Sequence, residues 1–183
     1  MDKSNPQIVI GVTGGVAAYK TAALVSQLVQ KGIGIHVVMS QTAREFIGPA
    51  TFTALTGSPP VFSTFDDRFP LGAHIELARS AQLYCIAPAT ANFIGKAANG
   101  IADDAVSTLY LSFTGPVIMA PAMNCEMWDK AAVQRNINQL QTDGVKMIGP
   151  ESGWLSCRAQ GMGRMSQPET IAAAILKQLG RAE

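Results

Sequence analysis

Charge is scarce in this chain of 183 residues: Asp, Glu, Lys and Arg make up only 15% of it, against roughly 25% in an average domain. The 14 basic and 13 acidic residues leave a net charge of +1. That balance excludes a basic nucleic-acid tract and a polybasic membrane anchor. There are three cysteines, Cys85, Cys125 and Cys157, far apart and without a Cys-x-x-Cys pair, so no metal site is expected. An odd number of thiols suits a reducing compartment, and a cytoplasmic location is expected. Apolar runs are broken by Gly, Pro or polar residues before the roughly 18 residues a membrane helix needs. The opening Met-Asp-Lys-Ser-Asn-Pro is polar and does not read as a secretory leader. Apolar residues are plentiful at 48%, which supports a real core and excludes disorder. With so little charge, some surface is expected to be buried between subunits.

The hydrophobic pattern alternates between strand and helix signals. Gln7–Gly11 is a short β-branched run of the kind buried on both faces. Ala17–Lys31 follows with an apolar stripe at helical spacing and is ended by Gly32. Further strands are predicted at Ile35–Met39, Val61–Phe62, Leu83–Ala87, Val117–Ala120 and Val145–Ile148. Helices are predicted at Pro49–Thr56, His74–Arg79, Asn92–Ala98, Asp103–Phe113, Cys125–Gln141 and Pro168–Leu179. The series predicts an α/β domain: a doubly wound, mainly parallel sheet of about six strands with helices on both faces, of the Rossmann or flavodoxin-like class. Residues 1–183 read as one domain, with a polar tail at 1–5 and a mobile flap at 150–166. In such folds ligands bind beyond the carboxyl ends of the strands.

The segments at those ends carry the chemistry. Gly11-Val-Thr-Gly14-Gly15-Val-Ala joins the first strand to the first helix, where amides attract an anion such as a phosphate. Neither GxGxxG nor a P-loop is present, and a tight turn without ligand remains open. Ser40 and Thr42 either add hydroxyls to the same phosphate or cap a helix. Pro88-Ala89-Thr90-Ala91-Asn92 offers small residues for flat contact with a ring, or for close helix–sheet packing; Asn92 either caps a helix or holds a ring carbonyl. Pro121-Ala-Met-Asn124-Cys-Glu-Met127-Trp128 supplies an apolar wall and a neutral amide, and equally reads as a capped, core-facing helix start. Gly153 through Met165 holds three glycines, Cys157, Arg158 and Arg164 without periodicity, as a flap with a reactive thiol and anion-binding side chains would. Cys85, inside a strand, reads as structural, and Cys125 as packing. His36 reads as structural, and His74, with Glu76 nearby, is either structural or catalytic.

Taken together, Gly14-Gly15 with Ala17-Ala-Tyr-Lys20, His74-Ile-Glu-Leu, Pro88 to Asn92, the Asn124 string and the flap resemble the homo-oligomeric flavin-containing cysteine decarboxylases, over about Pro6 to Leu179. The cysteine in the flap points to the coenzyme A branch of that family. The resemblance implies FMN held by Gly14, Gly15, Ser40, Thr42 and Pro88–Asn92. It implies decarboxylation of 4′-phosphopantothenoylcysteine to 4′-phosphopantetheine through a thioaldehyde and an enethiol. His74 would assist oxidation and decarboxylation, Asn124 would bind the carboxylate end, and Cys157 would donate the final proton. Met127, Arg158 and Arg164 would line the substrate. The implied assembly is a trimer or a dodecamer, with a separate phosphopantothenate–cysteine ligase as a possible partner and no nucleic acid or membrane. Two departures stand out: Arg158 where the family usually has Gly, and Gln167 in place of a common acidic residue.

Other readings share the fold. A peptidyl-cysteine oxidative decarboxylase stops at the enethiol and needs no reducing cysteine. Flavin prenyltransferases lack the Pro-x-Met-Asn string. A non-catalytic flavoprotein regulator of phosphatases usually carries charged extensions.

Overall fold

A computed structural model describes residues 6–181. The tail expected at residues 1–5 lies outside the described residues. Five strands form one parallel sheet: β1 (Gln7–Val12), β2 (Gly34–Met39), β3 (Leu83–Ala89), β4 (Val117–Pro121) and β5 (Lys146–Met147). Their spatial order is β2-β1-β3-β4-β5, so the chain reverses its winding direction between β1 and β3. β3 is buried along its whole length and β1 along all but its first residue, which is why both read as apolar runs rather than alternating ones.

Helices cover both faces. On one side lie α1 (Ala18–Gln30), α2 (Pro49–Thr56) and α8 (Pro168–Gln178), which meet Ile8, Ile10 and Val12 through Leu24, Leu28, Phe52, Ile171 and Ile175. On the other lie α3 (Ala73–Ser80), α4 (Ala91–Ala98), α5 (Ala105–Ser112) and α7 (Ala131–Thr142), packed around Val9, Tyr84 and Ile86. Gly32, at φ +75°, stands just past Lys31, the C-cap of α1, and lets the chain turn into β2, as the sequence predicts.

The expected doubly wound architecture is borne out, with local differences. Val61–Phe62 does not form a strand: Val61 makes a single bridge to Val38. Prolines at 59 and 60 just before it offer no amide for a longer ladder. The predicted helix Cys125–Gln141 is two helices, α6 (Cys125–Trp128) and α7, broken where Lys130 is extended. Gln134 Nε2 takes up the Trp128 carbonyl at 2.6 Å, which the break leaves without a helical partner. The segment read as an irregular flap is an antiparallel hairpin of β6 (Glu151–Trp154) and β7 (Gln160–Arg164).

Candidate functional site

Three loops converge at the carboxyl ends of β1, β2 and β3. Thr13, buried just past β1, joins two of them. Its hydroxyl donates to the Pro88 carbonyl at 2.6 Å and accepts from the Thr90 amide at 3.1 Å. One turn into α1, the Thr21 hydroxyl donates to the Ala87 carbonyl at 2.6 Å. The third loop enters through Gly14, where a Cβ would collide with the Thr42 side chain. Gly15 faces Thr90, with room for a Cβ only at 3.4 Å from its methyl group. Ser40 and Thr42 hydroxyls lie 3.2 Å apart beside this turn.

The start of α1 has no side-chain cap and no acidic residue in its first turn. The Ala18, Tyr19 and Lys20 amides donate to the Gly15, Val16 and Ala17 carbonyls, so the cradle is made by the backbone of the Gly14–Gly15 turn that precedes them and by the neutral hydroxyls of Ser40, Thr42 and Thr90. This donor set suits a phosphate ester, and glycine keeps the backbone close to it. Ser40 also caps the short 3-10 helix Gln41–Glu45, so both readings of that residue hold together. The cap of α4 differs from expectation: Thr90, not Asn92, accepts from the Phe93 amide. The extended backbone that an N-cap requires falls at Thr90, two residues earlier. Asn92 is thereby free of capping duty, at the exposed start of α4.

A second cluster forms after β4. Asn124 caps α6, its Oδ1 accepting from the Met127 amide at 2.8 Å. Among the described residues its Nδ2 has no partner, so one donor remains for a ligand. Met127 stays exposed while Trp128 packs on the core beside α4 and α7. The hairpin grips this loop at its base. The Met123 amide donates to the Gly163 carbonyl at 3.0 Å, and Gly161 lies against the Cys125 side chain. Arg164 crosses from β7 to Glu151 on β6 at 3.1 Å. Among the described residues its buried Nε has no partner. From α1, Lys20 Nζ donates to the Met165 carbonyl at 3.0 Å, and burial followed by the nearby Arg164 lowers the Lys20 pKa.

At the hairpin tip, Leu155 N donates to Ala159 O and Arg158 N to Leu155 O. Ser156, Cys157 and Arg158 thus form a three-residue loop, with exposed Cys157 at its centre. Arg158 sits at φ +66°, the left-handed position that glycine favours in such loops. The arginine that departs from the resembled family therefore occupies a place suited to the glycine it replaces.

His74 stands in another cleft. That cleft is a tight crevice lined by Val38, Val61, Thr64, Leu77, Ala105 and Leu109, none of them from the cradle or the Asn124 loop. Among the described residues the buried His74 Nδ1 has no hydrogen-bond partner. The chain therefore brings Gly14, Gly15, Ser40, Thr42 and Pro88–Asn92 together, and separately joins Asn124 to the base of the Cys157 hairpin. Thr13 ties the loops of the first group to each other, the Ala122 amide joins the two groups by donating to the Ala89 carbonyl at 3.0 Å, and Lys20 ties α1 to the segment just past the hairpin. Neither the Thr13 nor the Lys20 role is legible in the sequence, because their partners lie 75 and 145 residues away in the chain.

Cys85 is fully buried in β3, and burial pushes its thiol up to about 12, from 9.0. The folded state thus holds the Cys85 proton more tightly than the unfolded chain. Its contribution to stability is complete below pH 9 and is lost as the pH rises through about 12. In native protein, iodoacetamide at pH 8 should alkylate Cys157 readily and leave Cys85 unmodified until denaturant is added. Peptide mapping that finds Cys85 labelled at the rate of Cys157 would contradict this burial.

The model of the family described as Flavoprotein matches residues 1–180. The chain belongs to the flavoprotein family. Among curated relatives, this flavoprotein is 46% identical over 169 residues to the Coenzyme A biosynthesis bifunctional protein CoaBC of Bacillus subtilis (strain 168), covering 92% of this chain and 42% of that protein. It is 42% identical over 176 residues to the protein of the same name from Haemophilus influenzae, covering 96% of this chain and 44% of that one. The flavoprotein thus spans less than half the length of these relatives. Among solved structures it matches a PPC decarboxylase mutant complexed with pantothenoylaminoethenethiol, at 25% identity and a TM-score of 0.87, over 96% of this chain and 99% of that one. It also matches the FMN-dependent cysteine decarboxylase SpaF at 33% identity and a TM-score of 0.82, over 97% and 99% of the two chains. The likeness to flavin-containing cysteine decarboxylases expected from the sequence is borne out. No described helix of the flavoprotein is long and apolar enough to cross a membrane.

Proposed function

We propose that this flavoprotein decarboxylates 4′-phosphopantothenoylcysteine to 4′-phosphopantetheine, with FMN as cofactor, as a step of coenzyme A biosynthesis. The observation that carries the reading is the joint between the Asn124 loop and the hairpin bearing Cys157, made by the 3.0 Å bond from Met123 to Gly163. It couples a neutral amide donor and a thiol in one unit beside the phosphate-suited cradle.

FMN would be held by Gly14, Gly15 and the start of α1, with Ser40 and Thr42 at its phosphate and Pro88–Asn92 along its ring. When bound, FMN supplies a two-electron oxidation of the substrate's cysteine side chain and returns those electrons at the end of the cycle. The chain's residues do the rest. Asn124 Nδ2 holds the substrate carboxylate through a neutral hydrogen bond. A cation there would stabilise the ground-state carboxylate, whose charge the transition state disperses. His74, whose cleft lies apart from the cradle within one chain, assists the oxidation and the loss of CO₂ from a neighbouring copy across the subunit interface, and the loss of CO₂ leaves its electrons on sulfur as an enethiolate. Cys157 gives its proton to carbon in the final reduction. Met127, Arg158 and Arg164 line the substrate, and the unpaired Nε of Arg164 offers a donor to an anionic group.

The same reading places the flavoprotein in the cytoplasm, acting on the product of a phosphopantothenate–cysteine ligase. It assembles as a trimer or as four trimers, with the flavin near an interface. Phe65 and Leu71, exposed on the segment leading to His74, support an assembled state. The hairpin at 151–164 is the mobile flap of a single flavoprotein domain.

The test is direct. Purified protein should bind FMN and convert the phosphorylated substrate with release of CO₂. His74→Asn should abolish CO₂ release while leaving FMN bound. Asn124→Asp is sharper still, because aspartate caps α6 as well as asparagine does. It should keep the fold and lose the substrate, by repulsion between carboxylates and loss of the Nδ2 donor. Protein that takes up no FMN, or near-normal turnover in either variant, would remove the cofactor or that residue from the reading.

A further inference from the structure

We propose that Arg68 is a positioning residue that fixes the orientation of His74; this rests on the reading that His74 takes part in the chemistry. His74 is the second residue of α3, a helix of eight residues whose N-cap, Gly72, offers no side chain to its first turn. So short a helix is not held in place by its own caps. What holds its start is the irregular strap of residues 57–72, and what closes that strap is Arg68.

The Arg68 guanidinium reaches four acceptors. Nε and Nη2 grip Asp66 at 2.9 and 2.6 Å, Nη1 donates to the Pro59 carbonyl at 2.7 Å, and Nη2 donates to the Pro60 carbonyl at 3.2 Å. Those prolyl carbonyls open the strap, and Asp66 and Arg68 lie near its middle, so the contacts close a ring from 59 to 68. Inside it, Val61 is fixed to β2, its amide donating to Val37 and its carbonyl accepting from Met39. Thr64, in the same ring, accepts from the Ala73 amide at 3.2 Å, immediately before His74. Beyond the ring, the Gly72 amide donates to Phe69 and the Leu71 amide to Glu76. Val61 and Thr64 also line the cleft that receives the imidazole. The path from Arg68 to His74 therefore runs through one closed ring and one backbone hydrogen bond.

Only a planar fork can bridge a carboxylate and two carbonyls at once, so lysine is a partial substitute. The strap is anchored to the body by Val61, buried in one core, and by Phe62 and Phe69, which pack against the two cores, while Phe65 and Leu71 are exposed; removing the Arg68 side chain, itself at the surface, opens the ring without taking an apolar group out of either core. Loosening it should therefore move His74 without melting the protein.

The experiment uses FMN-loaded protein and three variants, Arg68→Ala, Arg68→Lys and Asp66→Asn. In Arg68→Ala, hydrogen exchange at the Ala73 amide should quicken roughly tenfold or more, while amides of the central strands keep their protection. The His74 imidazole resonance should shift or broaden; with only two histidines in the chain, His74→Asn assigns it. Turnover should fall roughly tenfold with KM changed less than about threefold, because substrate contacts are intact and a reacting group is misplaced. Arg68→Lys should recover part of each effect. Asp66→Asn keeps the bonds to the prolyl carbonyls and should show the smallest change. An unchanged Ala73 amide and His74 resonance in Arg68→Ala would overturn the staple. Normal turnover in His74→Asn would instead overturn the reading on which the staple's purpose rests, and the exchange data would still report whether Arg68 holds the strap.

Discussion

Replacing Cys157 with serine should leave the first half of the reaction running and stop the second. Substrate should be consumed and CO₂ released, but the product should remain the enethiol, two hydrogens short of the saturated thiol, and the flavin should stay reduced. A thiol with a reference pKa near 8.5 is a competent acid at neutral pH, and a serine hydroxyl is far too weak to replace it. The substitution should not disturb the fold. Cys157 is exposed, and the loop around it is closed by backbone bonds between Leu155, Arg158 and Ala159 that serine preserves. Cys85→Ser and Cys125→Ser serve as controls and should leave turnover largely intact. Cys85 is sealed in β3 with its thiol pushed up to about 12, and Cys125 packs against Gly161. Mass spectrometry that finds full conversion to the saturated thiol in Cys157→Ser would move the proton donor elsewhere. A wild-type enzyme that itself stops at the enethiol would favour the peptidyl-cysteine reaction instead.

How far the site could be read from sequence depended on where its bonds run. Gly14, Gly15 and Pro88–Asn92 declare themselves because each follows a strand whose apolar run is unmistakable. A cradle at the ends of parallel strands is a property of topology more than of any one contact. Helix α1 is legible for the same reason: its buried stripe of Ala18, Leu24, Val25 and Leu28 repeats at helical spacing. The hairpin was not legible as strands. Its inward positions are Gly153, Gly161 and Gly163, packed against Arg164, Cys125 and Met123, so the alternation that marks a strand is missing on one face. Trp154 and Met162 face outward and are exposed. The break between α6 and α7 was hidden because Ala131 and Val133 continue an apolar pattern across Asp129 and Lys130. Thr13 was hidden because a hydroxyl between Val12 and Gly14 carries no periodicity at all. Its importance lies in Pro88 and Thr90, which only the fold brings near.

The glycine face of the hairpin also sets the other large expected effect, in Gly163→Ala. Gly163 stands at φ +132°, a region that residues with a side chain rarely adopt, at a cost of about 1–3 kcal/mol. A Cβ there would also collide with the Met123 carbonyl, which is backbone and cannot swing away. The same residue accepts the Met123 amide, so any shift that relieves the collision also gives up that bond. The expected result is a hairpin detached from the Asn124 loop on a sheet that remains folded. Hydrogen exchange at the Met123 amide should rise sharply while the amides of β1 and β3 keep their protection. FMN should still bind, because Gly14, Ser40, Thr42 and Pro88–Asn92 lie on other loops. Turnover should fall by roughly two orders of magnitude, as it does when reacting groups lose their mutual placement. Gly144→Ala isolates the collision from the backbone strain. Gly144 also has a left-handed φ, +92°, but nothing lies within 4 Å of an added Cβ. It should carry only the strain, about 1 kcal/mol, with turnover near that of wild type. If Gly163→Ala instead matched Gly144→Ala in both exchange and turnover, the joint between the hairpin and the Asn124 loop would not be what unites the amide and the thiol.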